Sequence, residues 1–113
     1  MHHLIIDVSG CNREKLWNTK LIKTFLSGLP EKINMNTLTK PVIVEDRKGL
    51  EEEQGITGFV ILDESHLAIH TYPEKGKAYI DIFSCKEINE KVAKEFILEN
   101  FGKVKISGKL MER

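Results

Sequence analysis

The side chains in this sequence best suited to chemistry fall in one stretch. Glu64-Ser65-His66 sets a hydroxyl between an acid and an imidazole, His70 follows shortly after, and Cys85 supplies a thiol further on. A hydroxyl, an acid-base group and a thiol on neighbouring strands suit nucleophilic attack followed by proton transfer. A Ser-His-Asp hydrolase would need its nucleophile on a sharp turn with a backbone oxyanion hole. No G-x-S-x-G is present, and Asp63 lies too close to Ser65 to act as a separated triad member. Periodicity permits a site here without selecting one. Adjacent His2 and His3 point to opposite faces of a strand, so no metal site is expected of them. Cys11 and Cys85 form no CxxC pair, which suggests neither a zinc knuckle nor a disulfide framework.

The elements that must position these residues can be read from spacing. His3 to Ser9 alternates as a strand and ends at Gly10. Asn12 can cap a helix carrying Trp17, Leu21, Ile22, Phe25 and Leu29 on one face, with Gly28 and Pro30 expected to stop it. Met35 to Val44 is weakly strand-like, and the charged stretch Glu45 to Gln54 reads as an exposed loop. Thr57 to Leu62, His66 to Tyr72 and Ala78 to Cys85 form a meander, broken at Asp63-Glu64-Ser65 and at the turn Glu74-Lys75-Gly76-Lys77. A last helix spans about Asn89 to Phe101, stopped by Gly102, and Val104 to Leu110 can close the sheet. The fold class expected is α+β: a two-layer α/β sandwich, mostly antiparallel, with two helices on one face, in a single domain over 1–113.

Alternation then assigns faces. Leu67, Ile69, Ile80 and Ile82 belong beneath the helices, which leaves His70, Tyr72, Asp81 and Cys85 together on the opposite face with Tyr79 and Phe83. That face is too apolar for water, so a homodimer by sheet-to-sheet packing is expected. Seventeen basic and seventeen acidic residues cancel, giving no field that draws nucleic acid or an anionic membrane. No apolar run is long enough to span a bilayer, and the start resembles no signal peptide, so a cytoplasmic protein is expected.

The string Glu64 to Glu74, ESHLAIHTYPE, preceded by Gly55-Ile56-Thr57-Gly58 and followed by Asp81-Ile82-Phe83-Ser84-Cys85, resembles the core signature of prokaryotic S-adenosylmethionine decarboxylase proenzymes. His3 to Asp7 and Gly10-Cys11 resemble the family's first strand and turn, so the likeness spans most of the chain. The resemblance implies self-cleavage between Glu64 and Ser65, giving a β chain (1–64) and an α chain (65–113) that begins with a pyruvoyl group made from Ser65. That group would bind substrate as a Schiff base and act as an electron sink during decarboxylation of S-adenosylmethionine for spermidine and polyamine synthesis. His70 matches the residue that removes the Cα proton during processing, Cys85 the proton donor, and Glu74 the carboxylate that grips the ribose hydroxyls. Thr57 stands where the family has a serine assisting the acyl shift. Leu67 and, from the first strand, Asp7 complete the expected substrate-contacting set.

One departure bears on the substrate. Where the family carries an aromatic that stacks on adenine, this chain has Glu51, inside the run Glu51-Glu52-Glu53. Either Tyr72 or Phe83 provides the stack, or the substrate is arginine or another basic amino acid, on which related self-processing proteins act. A third reading, a processing-defective homologue serving as a binding or dimer-partner module, rests on Thr57 and the missing aromatic.

Overall fold

A computed structural model describes residues 1–113. Its frame is one six-stranded antiparallel sheet: β1 (His2–Ser9), β2 (Val42–Asp46), β3 (Gly55–Leu62), β4 (Ser65–Tyr72), β5 (Lys77–Ser84) and β6 (Lys105–Glu112). The spatial order is β2-β3-β4-β5-β1-β6. Three helices complete it, α1 (Arg13–Leu16), α2 (Thr19–Lys32) and α3 (Glu90–Phe101). The α+β sandwich expected from the sequence is the architecture found.

Alternation explains the core. Leu4, Ile6, Leu67, Ile69, Ile80 and Ile82 project from one face of the sheet and are fully shielded, together with Ile22, Phe25, Leu26 and Leu29 from α2 and Ala93 and Ile97 from α3. Each leucine, isoleucine or phenylalanine among them contributes roughly 1.5–3 kcal/mol by leaving water. Phe25 stacks on Phe96 and meets Phe101 edge-on, joining α2 to α3. Gly28 makes that approach possible, since a Cβ there would lie 2.7 Å from Phe96 Cζ.

Four local expectations are corrected. The single helix from Asn12 is two: Trp17 closes α1, and the Asn18 side chain accepts the Leu21 amide at 3.0 Å, starting α2 in a new direction. An Asn side chain competing for backbone donors in this way favours a cap over helix continuation. Pro30 does not stop α2, which runs on to Lys32; it forfeits the helical bond to the Leu26 carbonyl, and its ring is buried in the core. The strand expected over Met35 to Val44 lies later, at Val42–Asp46, because Pro41 cannot donate to a ladder; Glu45 and Asp46, read as loop, pair with Ile56 and Gly55. Glu51–Glu53 forms a short 3-10 turn rather than irregular loop. No helix is long and apolar enough to cross a membrane.

The other face of the sheet carries no helix. Phe59, Ile61 and Tyr79 are 38%, 43% and 38% exposed there.

Candidate active site

The hairpin between β3 and β4 turns through Asp63 and Glu64 alone, because Leu62 pairs with Ser65. Asn36 supports it: its carbonyl accepts the Asp63 amide at 3.0 Å and its side-chain amide reaches Asp63 Oδ2 at 3.3 Å. Glu64 is held at φ +51°, in the left-handed region, which a side chain this long seldom adopts. The bond after Glu64 therefore sits at a strained corner, followed directly by a half-buried serine. Ser65 Oγ donates to Ser84 Oγ at 3.2 Å, and Cys85, also half-buried, follows Ser84. Ser65 and Cys85 thus lie toward the same end of the β4–β5 pair.

His70 and Thr57 form a second group. They are direct partners across β3 and β4, with Thr57 Oγ1 and His70 Nδ1 3.1 Å apart. The pair opens into a cleft of about 140 Å³ whose walls include Asp46, Glu53, Gly55 and Tyr72. Asp46, Glu53 and Tyr72 continue into a wider groove of about 490 Å³ with Lys75 and Tyr79.

The structure does not bring Ser65 and His70 together within one chain. Five steps along β4 separate them by roughly 16 Å. They also project to opposite faces: Ser65 toward the helices in line with Leu67 and Ile69, His70 onto the open face with His66 and Ala68.

The remaining expected residues divide. Glu74, in the 3-10 turn Pro73–Lys75, is bound by Arg13 of α1, whose Nε and Nη2 both lie 2.6 Å from Oε1, leaving Oε2 without a protein partner. It borders a shallow cleft of about 280 Å³ with Leu50, Glu51 and Glu52, apart from the His70 cleft. Asp7 lies on the open face opposite Tyr79 and lines a cavity of about 390 Å³ with Lys77, Lys105 and Ser107. Leu67 has no exposed surface and belongs to the core. Of the two candidate aromatics, Phe83 sits in a stack with His66 and Phe59, centroids 5.3 and 5.6 Å apart, under the guanidinium of Arg113. Tyr72 meets Tyr79 edge-on beside the His70 cleft.

Sequence reasoning gave no role to Ser84 or Arg13. Ser84 was findable: it shares a face with Ile80 and Ile82, and the register sets it opposite Ser65. Nothing in the spacing points to Arg13 as the partner of Glu74.

A helix-backed antiparallel sheet with one bare face, and a serine directly after a strained hairpin corner, define a two-layer α+β protein. The profile of the S-adenosylmethionine decarboxylase family matches residues 2–113. An S-adenosylmethionine decarboxylase proenzyme of Thermodesulfovibrio yellowstonii is 36% identical over 100 residues, 88% of this chain and 70% of the relative. One of Sulfurihydrogenibium sp. is 33% identical over 113 residues, 98% of this chain and 80% of that one. The crystal structure of the adenosylmethionine decarboxylase from Aquifex aeolicus superposes with a TM-score of 0.79 at 25% identity, covering 99% of this chain and 88% of that one. The chain belongs to the S-adenosylmethionine decarboxylase family of carboxy-lyases.

Proposed function

We propose that the chain is a proenzyme that cuts itself between Glu64 and Ser65 and then decarboxylates S-adenosylmethionine, supplying the aminopropyl donor for polyamine synthesis in the cytoplasm. The observation that carries this reading is the left-handed Glu64 immediately before Ser65. Strain at a scissile corner raises the ground state of the bond and is relieved when it breaks.

In the cut, Ser65 Oγ bonds to the Glu64 carbonyl carbon, the peptide C–N bond breaks, and the hydroxyl proton ends on the nitrogen of residue 65. His70, oriented through Nδ1 by Thr57, then takes the Cα proton of residue 65 while the Glu64 carboxylate departs with the former serine oxygen. The dehydroalanine so formed takes a proton at Cβ and tautomerises to an imine; water then adds and ammonia leaves, so that fragment 65–113 begins with a pyruvoyl group. The residues present fit such a group, since it arises at a half-buried strand end beside Cys85. When formed, it supplies an electrophilic carbonyl that accepts the electrons released with carbon dioxide. Cys85 returns a proton to the substrate α carbon, Glu74 holds the ribose through Oε2, and Asp7 lines the open face nearby.

Because His70 lies roughly 16 Å from Ser65 along its own strand, a second copy must bring them together. A two-fold axis between open faces, passing near Ala68, sets the start of one β4 against the far end of the other. The backbone of Ser65, whose side chain faces the helices, and Cys85 of one copy then approach Thr57 and His70 of its partner, and the exposed Phe59, Ile61 and Tyr79 are covered.

A second reading keeps the cutting and changes the substrate to a basic amino acid. Asp46 and Glu53 in the His70 cleft, with Glu51 in place of an aromatic, favour it, since paired carboxylates suit a guanidinium or ammonium tail. Intact mass and carbon dioxide release decide. Two fragments divided at Glu64 and Ser65, with release from S-adenosylmethionine, are expected. Release only from arginine or ornithine selects the second reading, and a chain that stays whole on prolonged incubation refutes both.

A further inference from the structure

Ser84 closes β5 opposite Ser65, and its side chain is fully buried. Its Oγ accepts the Ser65 hydroxyl at 3.2 Å and the Lys86 amide at 3.0 Å. Two donors on one buried oxygen fill both of its acceptor positions. The Lys86 amide, fixed in the backbone, anchors Ser84; Ser84 in turn holds Ser65 Oγ. A serine at a strand end is otherwise free to populate three staggered positions, of which attack on the preceding carbonyl can use only some.

We infer that Ser84 is a positioning residue for the cut between Glu64 and Ser65: the buried Ser84 hydroxyl, pinned by the Lys86 amide, restricts Ser65 Oγ to one orientation beside the strained turn. This rests on the self-cutting reading above. Ser84 gains and loses no atoms in the step. Its contact with Ser65 also exists only before the cut, because the Ser65 oxygen leaves with the Glu64 carboxylate. Loss of the Ser84 hydroxyl therefore slows the appearance of fragments 1–64 and 65–113 rather than weakening a contact of the finished enzyme.

The test follows newly synthesised chain in a cell-free system by intact mass, with wild type alongside. Ser84→Ala is expected to slow the cut about tenfold or more, and Ser84→Thr, which keeps the hydroxyl, to stay within a few-fold of wild type. Melting of uncut Ser65→Ala chains with and without Ser84→Ala separates positioning from folding; if the alanine variant does not fold, Ser84→Cys, similar in shape but a poor acceptor, replaces it. Hydroxylamine, which cleaves esters, is expected to release no burst of fragments from Ser84→Ala, because the defect precedes ester formation. Cutting of Ser84→Ala at the wild-type rate overturns the inference, as does a hydroxylamine burst or an equally slow Ser84→Thr. Wild type that never cuts removes the self-cutting reading and this inference with it.

Discussion

Thr57 Oγ1 lies 3.1 Å from His70 Nδ1, across the β3–β4 ladder from which Ser65 starts on the opposite face. One imidazole nitrogen is thus engaged by a hydroxyl, and the ring orientation is set without a carboxylate. Thr57→Val, nearly the same shape without the hydroxyl, is expected to slow self-cutting by about tenfold, a lost hydrogen bond to a working group. Thr57→Ser should keep it. A gel time course checks both.

Separation of Ser65 from His70 makes complementation possible. Neither Ser65→Ala nor His70→Ala is expected to be cut alone. Co-refolded, the His70→Ala chain supplies Ser65 and the Ser65→Ala chain supplies Thr57 and His70, so only the former is cut. Mass spectrometry distinguishes the two. Absence of fragments from a verified mixed dimer would place the whole site within one chain.

Glu74 is tied to Arg13, but the Arg13 side chain is 58% exposed, so the pair adds under about 1 kcal/mol to stability. Glu74→Gln is expected to raise KM for S-adenosylmethionine with a smaller change in kcat, and to leave the melting temperature almost unchanged. Steady-state kinetics on fully cut protein measure this. An unaltered KM removes Glu74 from the ribose.

Gly55 opens β3 beside the His70 cleft, and a Cβ there would lie 1.8 Å from the carbonyl oxygen of Thr71. Gly55→Ala must push the start of β3 away from β4, at a cost of about 1–3 kcal/mol or more. The expected signs are a melting temperature several degrees lower and slower cutting. Circular dichroism and the mass assay report the two.

Burial pushes the Cys11 thiol above its ordinary range. A group whose folded value is raised stabilises fully below its unfolded value and loses that contribution as pH rises through the folded one. Stability should therefore fall in alkali beyond pH 9.0, the ordinary cysteine value, and Cys11→Ala should flatten that fall. Melting curves across pH 8 to pH 10.5 test the sign. Glu45 behaves oppositely: hydrogen bonds from Thr19 and then Arg47 lower its value, so its contribution is present above pH 4.5 and fades in acid.

Much of this fold was legible because alternation is clear in β1, β4 and β5, and β3 is a near-continuous apolar run of strand length. Leu67, Ile69, Ile80 and Ile82 lie where periodicity sent them, under the helices. The break at Asn18 was not legible, since Trp17 and Leu21 continue a helical spacing and only the side-chain cap redirects the chain. In the site, the pairing of Thr57 with His70 depends on hairpin register, which follows from the two-residue turn at Asp63-Glu64. The distance between Ser65 and His70 was contained in the same alternation, yet their closeness in the string suggests one cluster. Arg13 on Glu74 was beyond reach, because it joins segments 61 positions apart through exposed side chains.

If the chain is cut between Glu64 and Ser65 as proposed, strand order gives the product an unusual mechanical property. Fragment 1–64 owns β1, β2 and β3, while fragment 65–113 owns β4, β5 and β6, and β1 lies between β5 and β6. The two pieces are interlocked, with β1 clasped on both edges by the other fragment and β3 zipped to β4. Neither can leave without breaking three ladders, β1–β5, β1–β6 and β3–β4. Once they are pulled apart, however, reunion is an encounter between two molecules, so thermal unfolding that is unimolecular in the proenzyme becomes concentration-dependent at the level of the single domain after the cut.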